Sequence, residues 1–140
     1  MPCSDVIAGV ASGRENGYRI VLGVVSVPPS YLRVVVPTRK TPWPYWRKAG
    51  IAVRAGGATV TLAVPRKWRK RAAITWGNDT GIVSSLRIAR CGPQWPGKRW
   101  NGYAGGFLLR SRAACVPLVV RVGSRAATVR FGLGRRCASL

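Results

Sequence analysis

Apolar and polar residues alternate with a period of two in several short segments of this chain, and glycine, proline and asparagine fill the breaks. That is the pattern of half-buried strands joined by turns. Tyr18–Val27 reads as one buried strand, entered from Glu15-Asn16-Gly17 and stopped by Pro28-Pro29. Leu32–Val36 is a short β-branched run ending at Pro37, and Thr38–Lys48, with Pro42 and Pro44, reads as loop. Ile51–Arg54 and Ala58–Val64 predict a hairpin across Ala55-Gly56-Gly57, with Val60, Leu62 and Val64 on one face and Thr59 and Thr61 on the other. Pro65–Arg71 predicts one helical turn with proline at its first position, followed by a strand at Ala72–Trp76. After the turn Gly77–Gly81, Ile82–Ala89 predicts a strand with Ile82, Leu86 and Ile88 inward and Val83, Ser85 and Arg87 outward. A second proline- and tryptophan-rich loop, Gly92–Gly102, precedes a glycine-weakened strand at Tyr103–Arg110.

The last segment is the most regular. Pairing Val122 with Ala127 places Leu118, Val120 and Val122 opposite Phe131, Val129 and Ala127 on the core side, with Gly123-Ser124-Arg125-Ala126 as the loop. About eight or nine short strands at close spacing, with almost no helix, predict an all-β fold: an antiparallel β-sandwich of immunoglobulin-like or jelly-roll type, or a closed barrel as the alternative. No repeat, linker or shift of composition divides the chain, so residues 1–140 are expected to form a single domain.

Charge changes this picture. The 140 residues carry 24 Lys+Arg against 3 Asp+Glu and no His, a formal net charge of +21. Nearly all the cations therefore lack a carboxylate partner, and the surface potential favours polyanions such as nucleic acid, contacted without sequence specificity, or anionic cell-wall polymers. Arginine, alanine, glycine, valine and proline all have GC-rich codons, but so do the acidic residues, so codon bias does not explain their scarcity. The absence of histidine removes His-based triads and most zinc sites, and three carboxylates leave little for acid–base or metal chemistry. No nucleophile has a base at a meaningful spacing, so the expectation is a protein without catalytic residues, metal or cofactor. Gly105-Gly106 and Gly132-Leu133-Gly134 lack the context and lysine of a phosphate loop, and Asn78-Asp79-Thr80 matches a glycosylation sequon that turn chemistry also explains. No apolar run approaches the ~18 residues of a membrane-spanning helix.

Cys3, Cys91, Cys115 and Cys137 form no C-x-x-C pair, and in a small histidine-free β protein they read as two disulfides rather than a metal or redox centre. Three connectivities exist. The last hairpin brings Cys115 and Cys137 close along the chain, although in the register above they face opposite ways unless Pro117 or Gly132-Leu133-Gly134 bulges. This favours Cys115 with Cys137 and Cys3 with Cys91; four reduced, buried thiols are the alternative. Residues 1–5 carry no signal peptide, which taken literally means a cytoplasmic chain, but the cysteines favour an extracellular or cell-envelope location.

Several stretches resemble small exported proteins of unknown function from high-GC bacteria: Pro42–Trp46, Ala73–Asn78, Ser85–Cys91, Trp100–Phe107, Cys115–Leu118 and Arg130–Cys137. The resemblance covers most of the chain. It implies export, disulfides and an all-β domain, and it carries no activity to any residue.

Two candidate sites follow. Arg66, Lys67, Trp68, Arg69, Lys70 and Arg71 place five cations around one indole, a set that could hold phosphates and stack a base or sugar; a solvated basic turn anchored by Trp68 is the alternative. Arg110, Arg112, Arg121, Arg130, Arg135 and Arg136 could extend that surface along the last sheet. Trp43, Tyr45 and Trp46 in one loop, with Trp95, Trp100 and Tyr103 in the other, could form a platform for a sugar or a protein partner, as in an inhibitor, or could simply cap the core. Trp76 reads as core.

Overall fold

The segment with the most regular alternation forms the longest hairpin. In the computed structural model, which describes residues 1–40 and 42–138, fourteen strands are present among the described residues. They are β1 (Ala8–Val10), β2 (Arg19–Val21), β3 (Val25–Val27), β4 (Tyr31–Leu32), β5 (Val36–Pro37), β6 (Tyr45–Lys48) and β7 (Ile51–Arg54), then β8 (Val60–Ala63), β9 (Ala72–Trp76), β10 (Ser85–Ile88), β11 (Trp100–Tyr103), β12 (Gly105–Leu109), β13 (Ala114–Val122) and β14 (Arg125–Leu133). They build three sheets, ordered β1-β11-β7-β3-β2, β10-β8-β13-β14-β4 and β5-β6-β12-β9. Every pairing is antiparallel except the short β14–β4 pair. The chain is all-β, with more and shorter strands than the sequence pattern suggests.

The chain changes sheet at most of its connections, and periodicity reports a face but not a partner. β7 and β8 are not a hairpin. β7 lies between β3 and β11, whereas β8 lies between β10 and β13 in another sheet. Tyr18–Val27 is not one strand either, because Leu22 (φ 53°) and Gly23 (φ 72°) turn it into the β2–β3 hairpin. Tyr45 and Trp46, expected in loop, lie in β6, since Pro42 and Pro44 precede the strand without interrupting it; position 41 of that loop lies outside the described residues. Trp100 likewise belongs to a strand, β11. The inward phase of the 82–88 segment starts later than expected: Ile82 is exposed, while Leu86 and Ile88 are buried.

In the long hairpin both predicted faces are right and the register differs by two. Val122 pairs with Arg125, so the loop is only Gly123-Ser124, with Gly123 at φ 60° supplying the left-handed first position of a two-residue turn. Val116, Leu118, Val120 and Phe131 are fully buried. One hydrophobic cluster takes side chains from all three sheets. Phe107 of β12 contacts Trp76 edge-on at 5.3 Å between ring centres and Phe131 of β14 at 5.1 Å, joining two sheets through three rings. The Trp76 indole N–H, which burial would otherwise leave unpaired, donates to the Ala49 carbonyl at 2.8 Å.

Both disulfides are present, Cys3–Cys91 and Cys115–Cys137. No bulge in β13 is needed. Beyond Leu133 the chain turns at Gly134 (φ 74°) and runs back over Gly132, the cross-strand partner of Cys115, which lays Cys137 beside Cys115 on the outer side of the sheet. That return requires glycine at 132, because a Cβ there would lie 2.3 Å from the Arg135 carbonyl oxygen. Gly132→Ala is expected to cost about 1–3 kcal/mol, the usual range for overpacking. Gly92→Ala, where a Cβ meets nothing within 4 Å, is the control expected to be near neutral. Thermal unfolding of the oxidised proteins distinguishes the two, and equal melting temperatures would contradict the fold-back.

Candidate functional site: a basic groove on the outer sheet face

β8 pairs with β13 only as far as Ala63 opposite Val119, two residues short of Pro117. There the chain leaves the sheet at Val64 and crosses toward β9 through Pro65–Arg71, whose first residues form a short 3₁₀ turn, Arg66–Trp68. Backbone bonds from Trp68 N–H to the Pro65 carbonyl and from Arg71 N–H to the Trp68 carbonyl, both 2.8 Å, fix this crossing. Arg110 N–H ties it to the end of β12 through the Arg71 carbonyl at 3.1 Å.

The crossing forms one wall of an open groove of about 610 Å³. The floor is the outer face of β13 and β14, where Pro117, Val119, Thr128 and Arg130 lie in adjacent register. Arg135 of the returning segment and Cys115, whose disulfide to Cys137 holds that segment, complete the lining. Lys67 and Arg71 from the turn, Arg130 from β14 and Arg135 from the fold-back converge on this space, and no acidic residue lines it among the described residues. The Arg130 guanidinium donates to the Ala138 carbonyl at 3.1 Å, which fixes its direction and leaves further N–H donors for a ligand.

The six-residue basic cluster is therefore divided. Lys67, Trp68 and Arg71 line the groove, while Arg66, Arg69 and Lys70 are exposed outside it. Trp68 is partly buried against the core, and the Arg71 guanidinium lies over its ring at 3.6 Å. Of the arginines expected to extend the surface, Arg130 and Arg135 do so directly. Arg121 continues the same outer face one row beyond the Val119–Thr128 pair, level with Thr61 of β8 and Arg87 of β10. Arg110 and Arg136 turn instead toward Trp43 and Tyr31, with guanidinium carbons 6.0 and 4.3 Å from the ring centres. Arg112 is exposed at the β12–β13 connection. Sequence reasoning missed Arg87 and the uncharged floor, since both become visible only once β10, β8, β13 and β14 are placed side by side.

The aromatic loops occupy different sheets. Tyr45 and Trp46 sit in β6 and Trp43 just before it, whereas Trp100 and Tyr103 sit in β11, only 3% and 2% exposed. Trp95, 46% exposed, stands apart from them on the surface. Another hollow, of about 250 Å³, lies over β1, β7 and β11, lined by Ile7, Ala8, Tyr18, Ile51 and Tyr103. Its two phenols have pKa values raised by burial; beyond that, the Arg47 charge opposes the shift at Tyr18 and the Asp5 charge adds to it at Tyr103. At its edge Glu15 accepts the Ser12 hydroxyl at 2.8 Å and the N–H groups of Ala11 and Ser12, which hold its pKa down to about 2. That loop is therefore stabilised above the ordinary carboxylate pKa, and the contribution is lost as pH falls toward about 2. No cation lines this hollow among the described residues.

Comparison with protein-family models, with curated proteins and with solved structures finds no match. The site therefore stands on its own geometry.

Because the fold-back wall depends on one crosslink, the double variant Cys115→Ser/Cys137→Ser is expected to weaken anion binding at least threefold while strand content by circular dichroism is retained. Removing Cys3–Cys91, which lies outside the groove, is expected to lower stability with little effect on affinity of the folded protein. Equal affinity losses for the two pairs would contradict the arrangement.

Proposed function

We propose that this protein is an exported, non-catalytic binding module with sandwich-type packing of its sheets, and that it contacts polyanions through the groove between the Pro65–Arg71 crossing and the β13–β14 hairpin. The observation that carries this reading is convergence: four cations from three separate chain segments meet in one concave space that no acidic side chain lines among the described residues. A basic turn that served only solubility would have no need of that arrangement. Release of counterions from the bound polymer would supply most of the affinity.

The two disulfides support an extracellular or cell-envelope setting. Both disulfides close substantial loops, spanning 22 and 88 residues. On the chain-entropy account they contribute about 3 and 4–5 kcal/mol, comparable with the whole net stability of a domain this size, ~5–15 kcal/mol. A reducing compartment would leave such a fold marginal. No helix among the described residues is long and apolar enough to cross a membrane.

The test compares two charge-removal variants. Neutralising Lys67, Arg71, Arg130 and Arg135 to glutamine is expected to lower the slope of log affinity against log salt by about 3 for a single-stranded polyanion. Neutralising Arg66, Arg69 and Lys70 outside the groove is expected to change it by less than about 1. Equal effects per charge would reduce the binding to a general property of a +21 surface.

A further inference from the structure

We infer that the ligand of this groove is a linear acidic glycan, a single chain of sugar rings bearing carboxylate, sulfate or phosphate groups, rather than a nucleic acid. The inference rests on the polyanion reading of the same site and narrows it by what the groove lacks. Single-stranded nucleic acids gain much of their affinity by stacking bases on aromatic faces. The one aromatic side chain lining the groove is Trp68, and its indole is already engaged. Arg71 lies over the ring at 3.6 Å, and the side chain packs against the core. A base would have to displace Arg71 to stack on the face it covers.

What the groove does offer fits a sugar chain. Apart from Arg130, its floor is uncharged, formed by Pro117, Val119 and Thr128, with Pro65 on one wall. Such a surface buries the C–H face of a saturated ring without needing aromatic contact. Three of the four cations are arginines, whose planar forks meet carboxylate, sulfate or phosphate through paired N–H donors. The cations stand on the walls and at the edge of the floor rather than in its centre, so anionic substituents can point sideways while the rings lie flat.

The experiment measures binding at ~0.15 M salt to four probes carrying equal numbers of charges: oligogalacturonate, oligothymidylate, an abasic deoxyribose-phosphate strand of the same length, and duplex DNA. Oligogalacturonate has one carboxylate per ring and a low charge density, so tight binding to it does not follow from charge density alone. The expected result is about tenfold tighter binding of oligogalacturonate than of either strand, with oligothymidylate and the abasic strand within about threefold of each other. A clear advantage of oligothymidylate over the abasic strand, tightest binding of duplex, or oligogalacturonate no better than the abasic strand would each overturn the glycan inference and leave the polyanion reading standing. Failure to bind any of the four would overturn both.

Discussion

Twenty-four basic side chains share three acidic ones in this chain, so most must find something other than a side-chain carboxylate. Much of the structure follows from how they do it. Arg54, Arg71, Arg110 and Arg136 lie over Trp100, Trp68, Trp43 and Tyr31, and Arg19 reaches the Phe131 ring from β2. Arg47, Arg125 and Arg130 donate to the backbone carbonyls of Val34, Leu22 and Ala138. Aromatic faces and loop carbonyls thus act as partial anions, and each satisfied arginine also secures a turn or strand end. Partial burial lowers the pKa of Arg19, the group brought closest to the core. Four cations line the groove on the outer face of β13 and β14, and two of them, Arg71 and Arg130, keep the ring and carbonyl contacts just named and present their remaining N–H donors to it.

The groove is a consequence of topology. β8 ends before β13 does, so the edge of β13 is left unpaired by β8 from Leu118 back to Ala114, and the chain that leaves β8 passes beside that stretch. Gly132 and Gly134 then let the segment after β14 return over the same face, and the Cys115–Cys137 bond holds it there. Two crossings that each solve a problem of connectivity place lysine and arginine on opposite sides of an uncharged floor. Loops held by a rigid sheet are the usual location of binding residues, because the sheet bears the cost of ordering them.

The local content of this fold was legible in the residues, and its long-range content was not. The period of two identified the buried faces of β8 and of the β13–β14 hairpin, and Pro65 marked the short turn, since these depend only on neighbouring positions. Partnership across the chain escaped it. Nothing in Ile51–Arg54 tells that β7 pairs with β11 rather than with β8, and the two-residue shift of the last hairpin leaves every side chain on the same face, so the pattern cannot distinguish the registers. The candidate site was legible to the same extent. A dense cluster such as Arg66–Arg71 announces charge, but only three-dimensional placement separates Lys67 and Arg71, which face the groove, from Arg66, Arg69 and Lys70, which do not. Arg130 and Arg135 join them from more than fifty residues away along the chain.

The central claim is that charge acts here at one place rather than over the whole surface. Titration of isotopically labelled protein with oligogalacturonate, followed through backbone amides and arginine Nε–H signals, tests it most directly. The account predicts saturable shifts confined to Lys67, Trp68, Arg71, Thr128, Arg130 and Arg135 and their neighbours, with Arg66, Arg69 and Lys70 little affected. Shifts spread evenly over the basic residues of all three sheets, growing without saturation, would contradict it.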